Sequence, residues 1–138
     1  MRKRTQSREC ALQILYQVDI SDSDMNEIIA RFWEDRTEQD GPEIQGYTET
    51  LVRGTLEKVK EIDLLIERFA ENWEMKRMAY VDRNILRLAT YEMVFLDEIP
   101  LKVAINEAVE LAKRYGEADS SKFVNGILDR IAKTECKK

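Results

Sequence analysis

Hydrophobic positions recur every three to four residues in seven stretches of the chain, the spacing that puts one apolar face on an α-helix. In the first, over about 7–18, Ala11, Ile14, Leu15 and Val18 share a face, and Ser7 stands where a cap is expected. Ser21-Asp22-Ser23-Asp24 reads as a turn and cap before a short helix over about 25–35. The pattern breaks at 37–42, where Gly41-Pro42 is a turn signal. A longer helix from about 43 carries Tyr47, Leu51, Val52, Leu56 and Val59. After a bend near 60–63, Leu64, Leu65, Ile66 and Phe69 resume an apolar face. Periodicity blurs over 71–79, where Trp73 and Met75 read as packing against a neighbouring element. Next come a helix over about 82–96 with Ile85, Leu88, Ala89 and Met93 inward, and one over about 101–115. Pro100 suits the first turn of the latter and Gly116 its stop. Its wide apolar stripe comprises Val103, Ala104, Ala108, Leu111, Ala112 and Tyr115. A last helix, capped by Asp119 and Ser120, bears Phe123, Val124, Ile127, Leu128 and Ile131. The predicted fold is all-α: about seven helices in two packed subdomains of a single domain 1–138, the halves dividing near 76 and 77.

Composition agrees with this reading. With only two prolines and five glycines, long sheet-and-turn architectures are disfavoured, and 43% hydrophobic residues over 138 positions suffice for one core. No apolar run approaches the roughly 20 residues that span a bilayer. The basic start Met1-Arg2-Lys3-Arg4 lacks the continuous apolar stretch of a signal peptide. Cys10 and Cys136, near opposite ends, resemble neither a disulfide framework nor a metal site, and a reducing cytoplasm is expected.

Net charge is −5, unevenly spread. Residues 1–18 carry +3 from Arg2, Lys3, Arg4 and Arg8 against Glu9, residues 19–50 carry −8, and the remainder balances. The basic end is therefore a local anion-binding candidate on an acidic protein; the alternative is a solvated tail. Catalytic chemistry finds little to work with. Histidine is absent, which removes the usual general base and commonest metal ligand, and the glycines are isolated rather than grouped in a phosphate loop. Glu107 and Glu110 read as solvated helix surface and Cys10 as a buried small hydrophobe. The expectation is a binding protein without catalytic residues, metal or cofactor.

Three ordered segments carry a resemblance. Val81-Asp82-Arg83-Asn84-Ile85-Leu86-Arg87-Leu88-Ala89 with Tyr91-Glu92 and Ile99-Pro100 is similar to the NusB family of bacterial transcription antitermination factors. So are Val103-Ala104-Ile105-Asn106-Glu107-Ala108-Val109-Glu110-Leu111-Ala112-Lys113 and Asp119-Ser120-Ser121-Lys122-Phe123-Val124-Asn125-Gly126-Ile127-Leu128-Asp129. Near the start, Arg8-Glu9-Cys10-Ala11-Leu12-Gln13 with Leu15-Tyr16 and Asp19 also resembles it. The resemblance implies an all-helical, two-lobed protein that binds the boxA element of nascent RNA. It also implies a heterodimer with NusE, a small-subunit ribosomal protein, within an RNA polymerase complex that reads through terminators, notably in ribosomal RNA operons.

On that reading Arg2, Lys3, Arg4 and Arg8 meet phosphates, while single-stranded bases are read by stacking and hydrogen bonds. The resemblance brings Phe123 to RNA, although Phe123 also fits the apolar stripe with Ile127 and Ile131. Asp119 is a helix cap by position and part of the RNA surface by resemblance, with Lys122 and Asn125 beside Phe123. Tyr16 and Asp82 match positions near the NusE interface; locally they read as a core tyrosine and the cap of the helix from Arg83. Asn106 could satisfy backbone groups inside the bundle, and Gly126 could serve close packing or close RNA approach. A protein-only helical adaptor, and a detached RNA-targeting module of an RNA-modifying system, are the alternatives. A homodimer stays open.

Overall fold

The computed structural model describes residues 2–36, 41–71 and 73–138; Met1, Asn72 and the expected break at 37–40 lie outside them. Among the described residues there are seven α-helices, one 3-10 turn and no strand. In chain order these are α1 (Lys3–Ile20), α2 (Met25–Glu34), α3 (Pro42–Glu57), α4 (Val59–Phe69), the 3-10 turn (Met75–Arg77), α5 (Tyr80–Phe95), α6 (Leu101–Tyr115) and α7 (Ser120–Glu135). The all-α expectation holds. Several boundaries follow from local chemistry. Asp24 caps α2 by accepting the Asn26 N–H at 3.0 Å. Pro42 opens α3, where its missing N–H has no intrahelical role. The Gly116 N–H returns to the Ala112 carbonyl at 2.9 Å and closes α6. A Cβ on Gly116 would lie 2.6 Å from the Ser120 side chain, so the tight α6–α7 turn requires glycine.

Other ends differ from the sequence expectation. α1 begins at Lys3 rather than near Ser7, so the basic residues open an ordered helix. Ser7 caps nothing; it is buried and donates to the Ile44 carbonyl of α3 at 3.0 Å. α5 starts at Tyr80, which places Asp82 in its first turn instead of at the cap. Pro100 stands one residue ahead of α6, and Asp119 precedes α7 without its side chain accepting a capping hydrogen bond.

α5 lies at the centre, packing against α1, α3, α4, α6 and α7. This is why Ile85, Leu86 and Leu88 are all buried, although they do not share one narrow face. Buried residues of both sequence halves belong to one hydrophobic cluster. Each large aliphatic side chain removed from water contributes about 1.5–3 kcal/mol, which makes this cluster the main source of stability. The apolar stripes are narrower than predicted. Ile62 and Ile66 face inward on α4 while Leu64 is exposed, and Val103 and Tyr115 lie at the exposed edge of α6. At Gly54 of α3 an added Cβ would come within 2.1 Å of the Tyr91 ring of α5, so the two helices approach closely there.

Candidate nucleic-acid interface

The predicted site residues fall into three places. At the start of α1, Arg2, Lys3 and Arg4 are exposed, and the first turn holds no acidic residue. Their charges add to the positive end of the helix dipole, an arrangement that disfavours the isolated helix and favours a bound anion. Lys3 pairs with Glu43 at 3.2 Å, but both side chains are largely exposed and such pairs are weak. The Arg4 guanidinium lies 4.3 Å from the centre of the Tyr47 ring. All three cations line a groove of about 670 Å³ whose far side includes Pro100, Val103 and Asn106. Asn106 is exposed there, not turned into the bundle.

Arg8 is elsewhere. It is 4% exposed, and its guanidinium spans two carboxylates: Nε lies 2.9 and 3.0 Å from the Glu92 oxygens, and Nη1 lies 2.9 Å from Glu107 Oε1. Tyr47 also donates to Glu92, and Thr5 donates to Glu107 at 2.5 Å. Burial alone would lower the Arg8 pKa, but hydrogen bonding and charge from Glu92 raise it instead. Burial, then Glu92, push the Tyr47 hydroxyl well above its ordinary value. Arg8 therefore fastens α1 to α5 and α6, and unlike Arg2, Lys3 and Arg4 it is buried, with its guanidinium engaged by Glu92 and Glu107. Glu107 is corrected, since it pairs with Arg8 instead of standing solvated.

At the start of α7, Phe123 is half-buried, at the edge of the core rather than within it. Its ring meets that of Trp73 edge-on, with centroids 5.9 Å apart. Phe123, Trp73, Asp82 and Asp119 line one pocket of about 290 Å³, joining a residue expected at the protein partner to two expected at RNA. Lys122 and Asn125 are exposed on α7 and line neither hollow. Gly126 has no packing reason to be glycine, because a Cβ there would meet only the Arg130 guanidinium at 3.9 Å.

Tyr16 is on the surface, where its ring meets Tyr80 edge-on at 6.1 Å. Arg83 covers the Tyr80 ring at 4.3 Å and holds Asp19 by two hydrogen bonds of 2.7 and 2.8 Å. Asn84 and Arg87 reach the same carboxylate at 2.8 and 3.2 Å, and Arg87 continues to Asp63 at 2.8 and 2.9 Å. Burial opposes ionisation of Asp19, but Arg83, Asn84 and Arg87 outweigh it and hold the carboxyl below its ordinary value. This network fixes the end of α1 on α5 and α4. Sequence reasoning missed it, along with Trp73 and Tyr80 as site residues. The signal lay in the spaced segments, where Asp19, Arg83 and Arg87 are charged positions among apolar ones. Among the described residues no cluster could hold a metal ion, and no helix is long and apolar enough to cross a membrane.

Comparisons with known proteins agree with one another. The family whose model matches is the NusB family, over residues 5–133. A Bacillus licheniformis protein named transcription antitermination protein NusB is 49% identical over 129 residues, covering 94% of this chain and 95% of its own. A Thermodesulfovibrio yellowstonii protein of the same name is 40% identical, with 96% and 93% covered. Among solved structures, T. maritima NusB superposes with a TM-score of 0.87 at 41% identity, covering 99% of this chain and 94% of that one. A structure of antitermination factors NusB and NusE in complex with double-stranded RNA matches with a TM-score of 0.87 at 31% identity, covering 96% and 98%. From first helix to last, in sequence and in fold, the chain belongs to the NusB family.

Proposed function

We propose that this protein is a transcription antitermination factor that binds boxA-type RNA together with NusE and promotes readthrough, ribosomal RNA transcription included. The observation that carries the reading is the placement of Arg2, Lys3 and Arg4, exposed together on an ordered helix start of an otherwise acidic chain. RNA phosphates run along the groove between these cations and α6. Lys122, Asn125, Phe123 and Asp119 form the second contact at the start of α7. The two contacts lie toward opposite ends of α6, a span on the order of 20 Å, so a single strand of several nucleotides touches both. Arg8 serves this surface from inside by holding α1 against α6. Tyr16 and Asp82 face the protein partner, a ring with a hydroxyl and a carboxylate offered to a basic ribosomal protein. The protein acts by binding, without catalysis, in the cytoplasm and within the RNA polymerase complex. The relative solved with NusE and double-stranded RNA supports both classes of partner.

The test is binding to a boxA-type single strand, a scrambled strand and a duplex, with and without NusE, across a salt series. Selective binding to the boxA strand that strengthens with NusE is the expected result. Equal, weak binding to all three RNAs would leave a protein-only adaptor as the better account.

A further inference from the structure

The cations that open α1 stand where the helix dipole is already positive, and neither an acid in the first turn nor a side-chain cap offsets them. The start is helical all the same, so contacts from elsewhere in the fold hold it. Several come from the first turns of α3. Ser7 donates to the Ile44 carbonyl at 3.0 Å, and Thr48 donates to the Ser7 carbonyl at 3.3 Å. Tyr47 adds a contact of a different kind. Its ring is half-buried, with the Arg4 guanidinium 4.3 Å from the ring centre and that of Arg8 at 5.9 Å. Spacing of four residues brings both arginines to one face of α1. The tyrosine hydroxyl donates to Glu92, the carboxylate that also holds Arg8.

Resting on the RNA reading above, we infer that Tyr47 is a positioning residue for RNA binding: its ring fixes the Arg4 side chain at the rim of the basic groove, ready for a backbone phosphate. Charge is the reason a ring suits this task. A carboxylate would hold an arginine by cancelling it, as Glu92 and Glu107 do to Arg8. A neutral ring holds the cation through its π-face and leaves the full charge for the ligand. Burial and Glu92 push the Tyr47 hydroxyl above its ordinary range, so the ring stays neutral. Confining a long arginine side chain costs entropy, and here folding confines it before RNA arrives. Glu92 thereby acts on two cations in opposite senses. It neutralises Arg8 inside the protein and, through Tyr47, sets Arg4 on the groove outside.

The test compares Tyr47→Leu with Tyr47→Phe in the full-length protein, each alone and combined with Arg4→Gln, by titration with a boxA-type single strand in the presence of NusE. Immobilising one long side chain on binding lowers affinity by about two- to tenfold. Tyr47→Leu is expected to lose that factor, and Tyr47→Phe, which keeps the ring, less than about twofold. In the Arg4→Gln background, Tyr47→Leu should cause no further loss. Tyr47→Phe takes a donor from Glu92 and should melt at a lower temperature, so its retained affinity separates the ring from the stability of the fold. Proton NMR of the parent protein adds a readout that needs no variant to fold. The Tyr47 ring current should shift the Arg4 Hδ signals upfield, both without RNA and with it. Unshifted Arg4 signals, or full affinity in Tyr47→Leu, overturn the inference while leaving the RNA function standing. A loss in Tyr47→Leu that persists in the Arg4→Gln background, or is matched by Tyr47→Phe, marks Tyr47 as a brace of the fold and overturns it too. Failure of the parent protein to bind the strand would take down the functional reading as well.

Discussion

Arg8 shows how far a single residue can stand from what its neighbours in sequence suggest. By position it is the last cation of a basic start; by environment it is an interior group shared between Glu92, which is 1% exposed, and Glu107. Removing one partner of a buried ion pair leaves an uncompensated charge, a loss of about 3–5 kcal/mol. Arg8→Ala is therefore expected to lower the unfolding free energy measured in urea by an amount of that order. Arg8→Lys should be destabilised too, because an ammonium cannot span two carboxylates as a planar fork does. Arg4→Ala, removing an exposed cation stacked on Tyr47, should change stability by less than about 1 kcal/mol and act mainly on RNA affinity. Equal stability of the Arg8 and Arg4 variants would contradict this division. Nothing local in the sequence separates the two arginines. What separates them is which side of α1 meets α5 and α6, and that depends on residues some 84 and 99 positions further along the chain.

At the scale of elements, the sequence was legible wherever one apolar face per helix was the governing fact. The α6 limits and the α2 start were read as they occur, and Ala11, Ile14 and Leu15 are buried as expected. It was illegible where polar groups hold helices together. Ser7, placed by propensity at a cap, lies one turn inside α1 because its hydroxyl reaches α3. The Asp19 network makes a pH prediction. The folded Asp19 has a lowered pKa, so its contribution is present above the unfolded value and is lost as pH falls through the folded one, below the ordinary 3.8. Asp19→Ala should cost about 1–3 kcal/mol at pH 7, and its gap to the parent protein should narrow as urea midpoints are followed from pH 6 down to pH 2.5. A constant gap would exclude ionised Asp19 as the source. Two glycines supply a second test at this scale. Ala is favoured over Gly inside a helix by up to about 1 kcal/mol. Gly126→Ala has open space and should stabilise by up to that amount, whereas Gly54→Ala drives a methyl into Tyr91 and should destabilise. Thermal melts of the pair should move in opposite directions; a parallel rise in both would show that the α3–α5 approach is loose.

For the whole molecule, charge distribution was the most informative quantity in the sequence, but it located an end of the chain rather than a site. Of the cations expected at RNA, Arg8 is buried and paired within the protein, while four are exposed: Arg2, Lys3, Arg4 and, on α7, Lys122. With a single strand releasing about 0.7 counterions per phosphate neutralised, log K should fall against log salt with a slope near −3. The acidic segment 19–50 carries the chain's net negative excess, but repulsion from it is screened beyond about 8 Å at physiological salt and sets the binding orientation more than the slope. Charge arithmetic that counted Arg8 in place of Lys122 would give the same slope, so the total cannot distinguish the two sites; the substitutions can. Lys122→Gln, like Arg2→Gln, Lys3→Gln or Arg4→Gln, should reduce the magnitude of the slope by about 0.7. Arg8→Gln, measured where it remains folded, should leave the slope unchanged even if affinity falls. A slope that drops in Arg8→Gln and holds in Lys122→Gln would mean that RNA binding opens the Arg8–Glu92 pair, and that the interior network is itself part of the RNA site.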